Sequence, residues 1–486
     1  MEKYLYKPLL LKIFILFLFF LPLGSLEMLA VPGGGGVGFS VHFARLFGLL
    51  LGVILFMNIC LDIKYFNKVF RSGVYRNPYI PLFFFYILFS IVYYFILVAL
   101  GQTVLFGAEE SFFRNWQGRP FAQLLSFFTF GFIPFYIVKR YAERSDTRKL
   151  IERTFVAVIL LLLWYGVFQQ VSHALGFPVT GRNIFEIGRP ITHTVGGVQL
   201  LRFYSLGGEP KQMGSFLVGA IFFYAYARYG AMTWRTKFNL LLMVVAFLLT
   251  LSMSAYVAMA LALGVMLADI LYRKRVRIRM KHVKDALIVG LIVWILVSVG
   301  FLYKFTERPR VYVESIVSTF GRPTEAYSLV ATQSLDLVFL YYIVTIPERS
   351  PLYLVFGYGY ANYLTPTVGL IQKYFKIDFL GEGTFPDSTS FLIKLVVEGG
   401  LVAVLLYGMI FLYTLRLNGK LLALWRSKHD REAYNKALFL RLAFIAFFVA
   451  GAVQTSYYYF IVMGIMIGKL NSVVKENTED HATVAI

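Results

Sequence analysis

The sequence predicts an all-α fold, a polytopic membrane helix bundle of about 12 transmembrane helices. Hydrophobic side chains make up 58% of the 486 residues and charged side chains only 15%, whereas soluble proteins are roughly 45–50% apolar. The apolar residues also form runs of about 20, the length that a helix needs to cross a bilayer with its backbone hydrogen bonds satisfied. No strand-rich segment interrupts these runs.

Two of the apolar runs are too long for one helix, so we divide them at polar tips, residues 251–254 and residues 453–456. The polar end of the chain, residues 475–486, is predicted to be a disordered tail, and residues 1–474 form one predicted membrane domain. The predicted spans are 9–26, 44–62, 79–101, 121–138, 154–172, 213–228, 237–251, 254–272, 285–303, 391–415, 438–453 and 457–470.

Lys and Arg residues indicate the orientation. They number 47 against 26 Asp and Glu, a formal net charge of +21. Short loops rich in Lys and Arg stay on the cytoplasmic side, so both termini are predicted to be cytoplasmic. The charge is therefore a signal of orientation, and the apolar content argues against a nucleic-acid partner. The basic loops alternate along the chain, at 64–76, 139–153, 228–237, 273–284 and 416–436.

Two loops on the predicted outer side are long, residues 173–212 between helices 5 and 6 and residues 304–390 between helices 9 and 10. Long loops in a compact bundle are usually functional, so these two are predicted to form the site. Within the larger loop, residues 335–346 and 364–375 are predicted to form short helices on the outer face.

The first long loop ends in a stretch suited to an anion. Pro210 fits the first turn of a helix, and a helix N-terminus beside Arg202 and Lys211 attracts phosphate. Glu209 adds a carboxylate. A structural reading is equally open, in which Arg202 extends to lipid headgroups and Glu209 caps the helix.

The larger loop brings further candidates. Arg308, Arg310 and Arg322 carry planar guanidinium groups that bind phosphate in two places; each also has an acidic neighbour in sequence, so a solvated face of ion pairs fits as well. Tyr358 and Tyr360 lie among glycines and suit either a glycan site or the membrane interface.

Three ionisable residues surround the start of the tenth span. Asp387 precedes this helix and is either a catalytic base or an N-cap. Lys394 and Glu398 are four residues apart, so they share one helical face, and ionisable residues at this depth usually mark a cavity. Gly399 and Gly400 beside them are typical of close helix packing.

Metal, nucleotide and disulfide chemistry have no sequence support. The single cysteine, Cys60, excludes an intrachain disulfide or a Cys-based zinc site. Asp-x-Asp, Walker and His-Glu-x-x-His patterns are absent from the sequence. We therefore predict no metal ion and no cofactor.

Four short motifs occur in a recognisable order. They are Arg202, Ser205 and Pro210 before a helix, Ser252-Met253-Ser254 at a hairpin tip, Gly357-Tyr-Gly359, and Asp387-Ser-Thr-Ser-Phe-Leu with Glu398-Gly-Gly400-Leu. Together they resemble the O-antigen ligase and O-antigen polymerase superfamily of bacterial inner-membrane proteins. In that family the second motif usually has Arg where this chain has Met253.

The resemblance implies glycosyl transfer on the periplasmic side of the inner membrane. The donor would be a glycan on undecaprenyl diphosphate, embedded among membrane lipids, and the acceptor the hydroxyl of another sugar. Arginines would bind the diphosphate, Arg202 first and Arg310 and Arg322 next, and Asp387, Glu209 or Glu398 would be the base.

A polymerase is favoured over a ligase, because ligases of this family typically have His near the position of Asp387. The alternatives are a ligase-type glycan transferase to another acceptor and a transporter or flippase of lipid-linked sugar. A chain-length regulator protein is a further partner that the resemblance suggests.

Overall fold

A computed structural model gives the architecture of this chain and describes residues 7–23, 27–31, 39–61, 74–103, 116–177, 192–195, 198–207, 209–273, 351–362, 390–454 and 456–484. Within these ranges the fold is all-α with two small strand pairs. The helices are α1 (Lys7–Phe20), α2 (Phe43–Leu61), α3 (Tyr79–Ala99), α4 (Arg119–Ala142), α5 (Ser145–Ala174), α6 (Pro210–Ala227), α7 (Trp234–Leu249), α8 (Met253–Arg273), α9 (Pro351–Phe356), α10 (Phe391–Ser427), α11 (Arg431–Val453) and α12 (Tyr458–Val484).

Six of these helices are long and apolar enough to cross a bilayer, namely α3, α4, α5, α8, α10 and α11. The chain is therefore a multi-pass membrane protein. Helices α1 and α2 contain shorter apolar stretches. Each predicted span coincides with a helix except 285–303, which lies outside the described residues, as do the predicted short helices at 335–346 and 364–375.

Both predicted hairpin tips are confirmed. Helix α7 ends at Leu249 and α8 begins at Met253, and between them Leu251 adopts a left-handed φ of 46°. Helix α11 ends at Val453 and α12 begins at Tyr458. Helix α12 extends to Val484, into the stretch 475–486 that was predicted to be a disordered tail.

Helix α12 lies at the centre of the bundle, since every residue from 459 to 473 is buried. Glycines bring it close to α4: a Cβ on Gly464 would lie 2.8 Å from the Cβ of Val138, and one on Gly468 would lie 2.6 Å from the carbonyl oxygen of Lys139. Small residues at such positions let two membrane helices approach closely.

The strands form two antiparallel pairs. Strand β1 (Glu27–Val31) pairs with β2 (Phe39–His42), and β3 (Thr192–Val195) pairs with β4 (Val198–Leu201). The second pair occupies part of the predicted loop 173–212. It ends directly before Arg202 and so delivers this residue to the end of the bundle where α7 and α8 meet.

Candidate functional site

The site centres on a kink in α10. At Gly400 the backbone leaves the helical conformation, with φ 59° and ψ −161°. A Cβ at this position would lie 2.4 Å from the carbonyl oxygen of Val355, so only glycine fits both the backbone conformation and the space. Gly399-Gly400 was predicted to serve close helix packing; Gly400 packs on the end of α9, and Gly399 lies beside Tyr86 of the long helix α3.

The kink interrupts the helical hydrogen bonds, and other groups take up the exposed carbonyls. The N–H of Tyr358 donates to the carbonyl oxygen of Val397 at 2.8 Å, and the N–H of Gly359 donates to that of Glu398 at 3.0 Å. The hydroxyl of Tyr86 donates to the carbonyl oxygen of Gly399 at 2.6 Å. Every backbone polar group inside a bilayer needs such a partner.

These bonds hold residues 357–362 against two helices. A Cβ on Gly359 would lie 2.6 Å from the Cβ of Tyr94 on α3, and Gly359 has a φ of 89°. The side-chain amide of the fully buried Asn362 donates to the carbonyl oxygen of Tyr358 at 2.7 Å, closing the turn. This irregular segment is thus held on α3 and α10 through its backbone.

A cavity of about 150 Å³ lies beside the kink. Lys394 and Glu398 both line it, as their four-residue spacing predicts, and Glu398 is only 4% exposed. Glu398 lies seven residues into α10, about 10 Å from the start of this helix at 1.5 Å per residue. The other polar residues of the wall come from α3, α4, the segment 357–362 and the turn before α12: Tyr86, Ser90, Gln123, Ser126, Tyr360 and Tyr457.

The two predicted glycan-binding tyrosines differ in position. Tyr360 lines the cavity together with Tyr457 and Glu398. Tyr358 is instead buried with its ring stacked on Tyr353 at 4.1 Å, and it does not line this cavity.

The guanidinium of Arg202 binds two main-chain carbonyl groups. Its Nε donates to the carbonyl oxygen of Thr250 at 2.9 Å, and a terminal nitrogen donates to that of Leu251 at 3.0 Å. The N–H of Phe203 donates to the carbonyl oxygen of Leu249 at 2.8 Å. These contacts close the C-terminal end of α7, where the last carbonyls of a helix have no internal partner.

The residues that follow Arg202 in sequence attach this stretch to α5. A Cβ on Gly166 would lie 2.2 Å from the ring of Phe203, and the hydroxyl of Ser205 donates to the carbonyl oxygen of Leu162 at 2.6 Å. Tyr204 is 1% exposed, and burial, with a contribution from Tyr165, raises its pKa to about 12. The first motif thus joins α5 to the α7–α8 hairpin.

Glu209 and Lys211 lie at the start of α6. Pro210 occupies the first turn as predicted, and Glu209 is the N-cap residue, although its side chain makes no capping hydrogen bond. Its carboxylate instead forms an ion pair of 3.2 Å with the amine of Lys211. The helix N-terminus predicted to bind an anion therefore carries both charges.

The α11–α12 turn lies between the start of α6 and the cavity at Glu398. The side chains of Gln454 and Ser215 are hydrogen-bonded at 2.9 Å, which ties the turn to α6. A second cavity of about 190 Å³ there is lined by Gln212 and Gln454, and Tyr457 lines both cavities. Gln123, Gln454 and Tyr457 were not among the predicted site residues, because their only signal in the sequence is polarity at the edges of apolar runs.

Four predicted site residues, Arg308, Arg310, Arg322 and Asp387, lie outside the described residues. The N-cap of α10 is Ser390, whose hydroxyl accepts from the N–H of Ile393 at 3.4 Å. In the described part of the chain, no group of three His, Cys, Asp or Glu side chains gathers that would hold a metal ion.

The fold and this site define a multi-pass membrane protein with a buried carboxylate beside a polar cavity. No protein-family model and no curated protein matches the chain.

Proposed function

We propose that this protein is a bacterial polysaccharide polymerase of the inner membrane. It would transfer a glycan from undecaprenyl diphosphate to the hydroxyl of an acceptor sugar, without a metal ion. The observation that carries the proposal is the position of Glu398, a buried carboxylate that lines a polar cavity together with Lys394.

Support also comes from the way distant motifs meet. Gly357 and Gly359 pack on the Glu398-Gly-Gly400 stretch, and Arg202 binds the tip of the α7–α8 hairpin. These are the four motifs that carry the resemblance to the O-antigen polymerase and ligase superfamily. Motifs that contact one another in pairs are expected if they serve one site.

In this proposal Glu398 is the base. Its carboxylate would accept the proton of the acceptor hydroxyl as the oxygen bonds to the anomeric carbon of the donor, while the bond from that carbon to the diphosphate breaks. Of the other candidates, Glu209 lies at the start of α6 in an ion pair with Lys211 and does not line the cavity that Glu398 lines. Glu398 therefore suits the role better than Glu209.

The leaving diphosphate needs positive charge. Lys394 lies one helical turn nearer the start of α10 than Glu398 and lines the same cavity. Arg202, whose guanidinium already binds two backbone carbonyls, would act mainly by holding the hairpin. The arginines of the loop 304–390 remain candidates for the diphosphate.

The proposed orientation follows the basic loops, with both termini in the cytoplasm, twelve spans, and the start of α10 facing the periplasm. Reconstitution tests the function. Purified protein in proteoliposomes should convert undecaprenyl-diphosphate oligosaccharide into longer glycans without an energy source. Movement of the substrate across the bilayer with no lengthening would instead indicate a transporter, and transfer only to a different acceptor would indicate a ligase.

A further inference from the structure

A larger cavity lies beside the first turns of α3. Its volume is about 600 Å³, and α2, α3 and α4 form its walls. It shares no lining residue with the cavity at Glu398, since Phe84 and Phe85 line the one and Phe83 and Tyr86 the other. The two cavities are therefore separate features.

Phenylalanine rings make this cavity an apolar groove. Phe84 on α3 stacks on Phe132 of α4 with ring centroids 4.9 Å apart, and Phe128 lies on the same wall. On the lipid side, Phe85 is 64% exposed. From Phe128 to Lys139 the wall is 11 residues long, roughly 16 Å at the helical rise. This shape suits a hydrocarbon chain.

A π-helical stretch, Phe128–Phe132, forms part of the wall. A π-helical turn shifts the following side chains around the helix axis, and such turns often occur at functional sites. Here Phe128 and Phe132 still stack on each other with centroids 5.5 Å apart, and both line the groove. Helix α4 thus departs from regular α-helical geometry where it lines the groove.

One end of the groove is cationic. Arg76 and Lys139 both line it, and of the described residues that line it none is acidic. Lys139 is 1% exposed, with its amine 5.3 Å from the ring centroid of Tyr136. The side-chain amide of Asn77 is used elsewhere, since it donates to the carbonyl oxygen of Ile410 at 3.0 Å.

We propose that this groove binds one anionic glycerophospholipid, with its phosphate on the exposed Arg76, in the positive field of the buried Lys139, and one acyl chain along the phenylalanines. Charge complementarity selects the anionic headgroup, because two cations end an otherwise apolar wall. Both cations belong to loops predicted to be cytoplasmic, and the cytoplasmic leaflet holds the anionic lipids that basic pockets between helices bind. The proposal is independent of the glycosyl transfer proposed above.

Native mass spectrometry with added phosphatidylglycerol or phosphatidylcholine tests this site. Wild-type protein should retain phosphatidylglycerol roughly tenfold better than phosphatidylcholine. The double variant Arg76→Gln/Lys139→Gln should lose that preference. Arg140→Gln is the matched control, because Arg140 neighbours Lys139 in sequence but forms an ion pair with Glu143 at 2.9 Å outside the groove, and it should behave as wild type.

A second variant tests the chain-binding part without touching the charges. Gly52 lines the groove, so Gly52→Leu should lower phosphatidylglycerol retention while a thermal melt verifies the fold. Equal retention of the two lipids by wild type would overturn the proposal. Undiminished retention by both variants, or preferred retention of undecaprenyl phosphate over phosphatidylglycerol, would overturn it as well.

Discussion

The backbone N–H of Gly359 donates a 3.0 Å hydrogen bond to the carbonyl oxygen of Glu398, whose side chain lines the cavity beside the kink. In a regular helix that carbonyl would accept from the N–H four residues further on. The kink at Gly400 makes it available to the segment 357–362 instead. The placement of the carboxylate and the conformation of this segment therefore depend on each other.

Gly400→Ala should destabilise the protein by about 3 kcal/mol, because the new Cβ would meet the carbonyl of Val355 in a backbone conformation that suits glycine. Gly408→Ala is the matched control. Gly408 lies in the same helix, and a Cβ there would have no other atom within 4 Å, so alanine should be neutral or slightly stabilising. Thermal unfolding in detergent measures both, and equal melting temperatures would contradict the account.

Arg441 and Asp269 form a buried ion pair between α11 and α8. The Nε of Arg441 donates to Asp269 at 2.8 Å, and the side chains are 5% and 7% exposed. Arg441→Met alone should cost about 3–5 kcal/mol because it leaves a buried carboxylate uncompensated. Adding Asp269→Leu should restore much of the loss. Thermal unfolding of the two single variants and the double variant measures the coupling, and additive losses would refute it.

Arg202→Lys tests the cap on α7. Lysine keeps the charge but lacks the planar fork that reaches both Thr250 and Leu251. We expect a loss of about 1–2 kcal/mol in stability and faster hydrogen exchange at the α7–α8 tip. Arg235→Lys, on the exposed first turn of α7, is the control. Unchanged exchange at the tip in Arg202→Lys would argue against the cap.

Single cysteines test the orientation. In a Cys60→Ser background the chain has no other cysteine. Leu175→Cys, at an exposed position after α5, should react with a membrane-impermeant maleimide in intact spheroplasts. Ser427→Cys, exposed at the end of α10, should react only after permeabilisation. The reverse pattern would invert the proposed topology.

The sequence predicted the helices well because apolar runs and polar tips are local signals. Pro210 identified the start of α6, and the spacing of Lys394 and Glu398 identified a shared face. The role of Arg202 was harder to predict. A guanidinium binds carbonyls and phosphates with the same donors, so its sequence context alone did not distinguish a helix cap from an anion site.

The kink at Gly400 was not predictable from its neighbourhood. Two adjacent glycines are compatible with either close helix packing or a break in the helix. Which of the two forms depends on Gly357, which is 43 residues earlier in the chain and whose backbone contacts Gly400. Asp269 had a clearer signal. A carboxylate within an apolar span calls for a partner, and Arg441 is a cation within the predicted span 438–453.

Glycan extension by Glu398→Gln tests the central claim most directly. The substitution keeps the shape of the side chain and removes its ability to accept a proton, so extension of undecaprenyl-diphosphate oligosaccharide in proteoliposomes should fall at least about 100-fold. The melting temperature should stay close to that of wild type. Glu432→Gln, in the first turn of α11, should retain activity. Wild-type extension by a folded Glu398→Gln protein would contradict the assignment of Glu398 as the base.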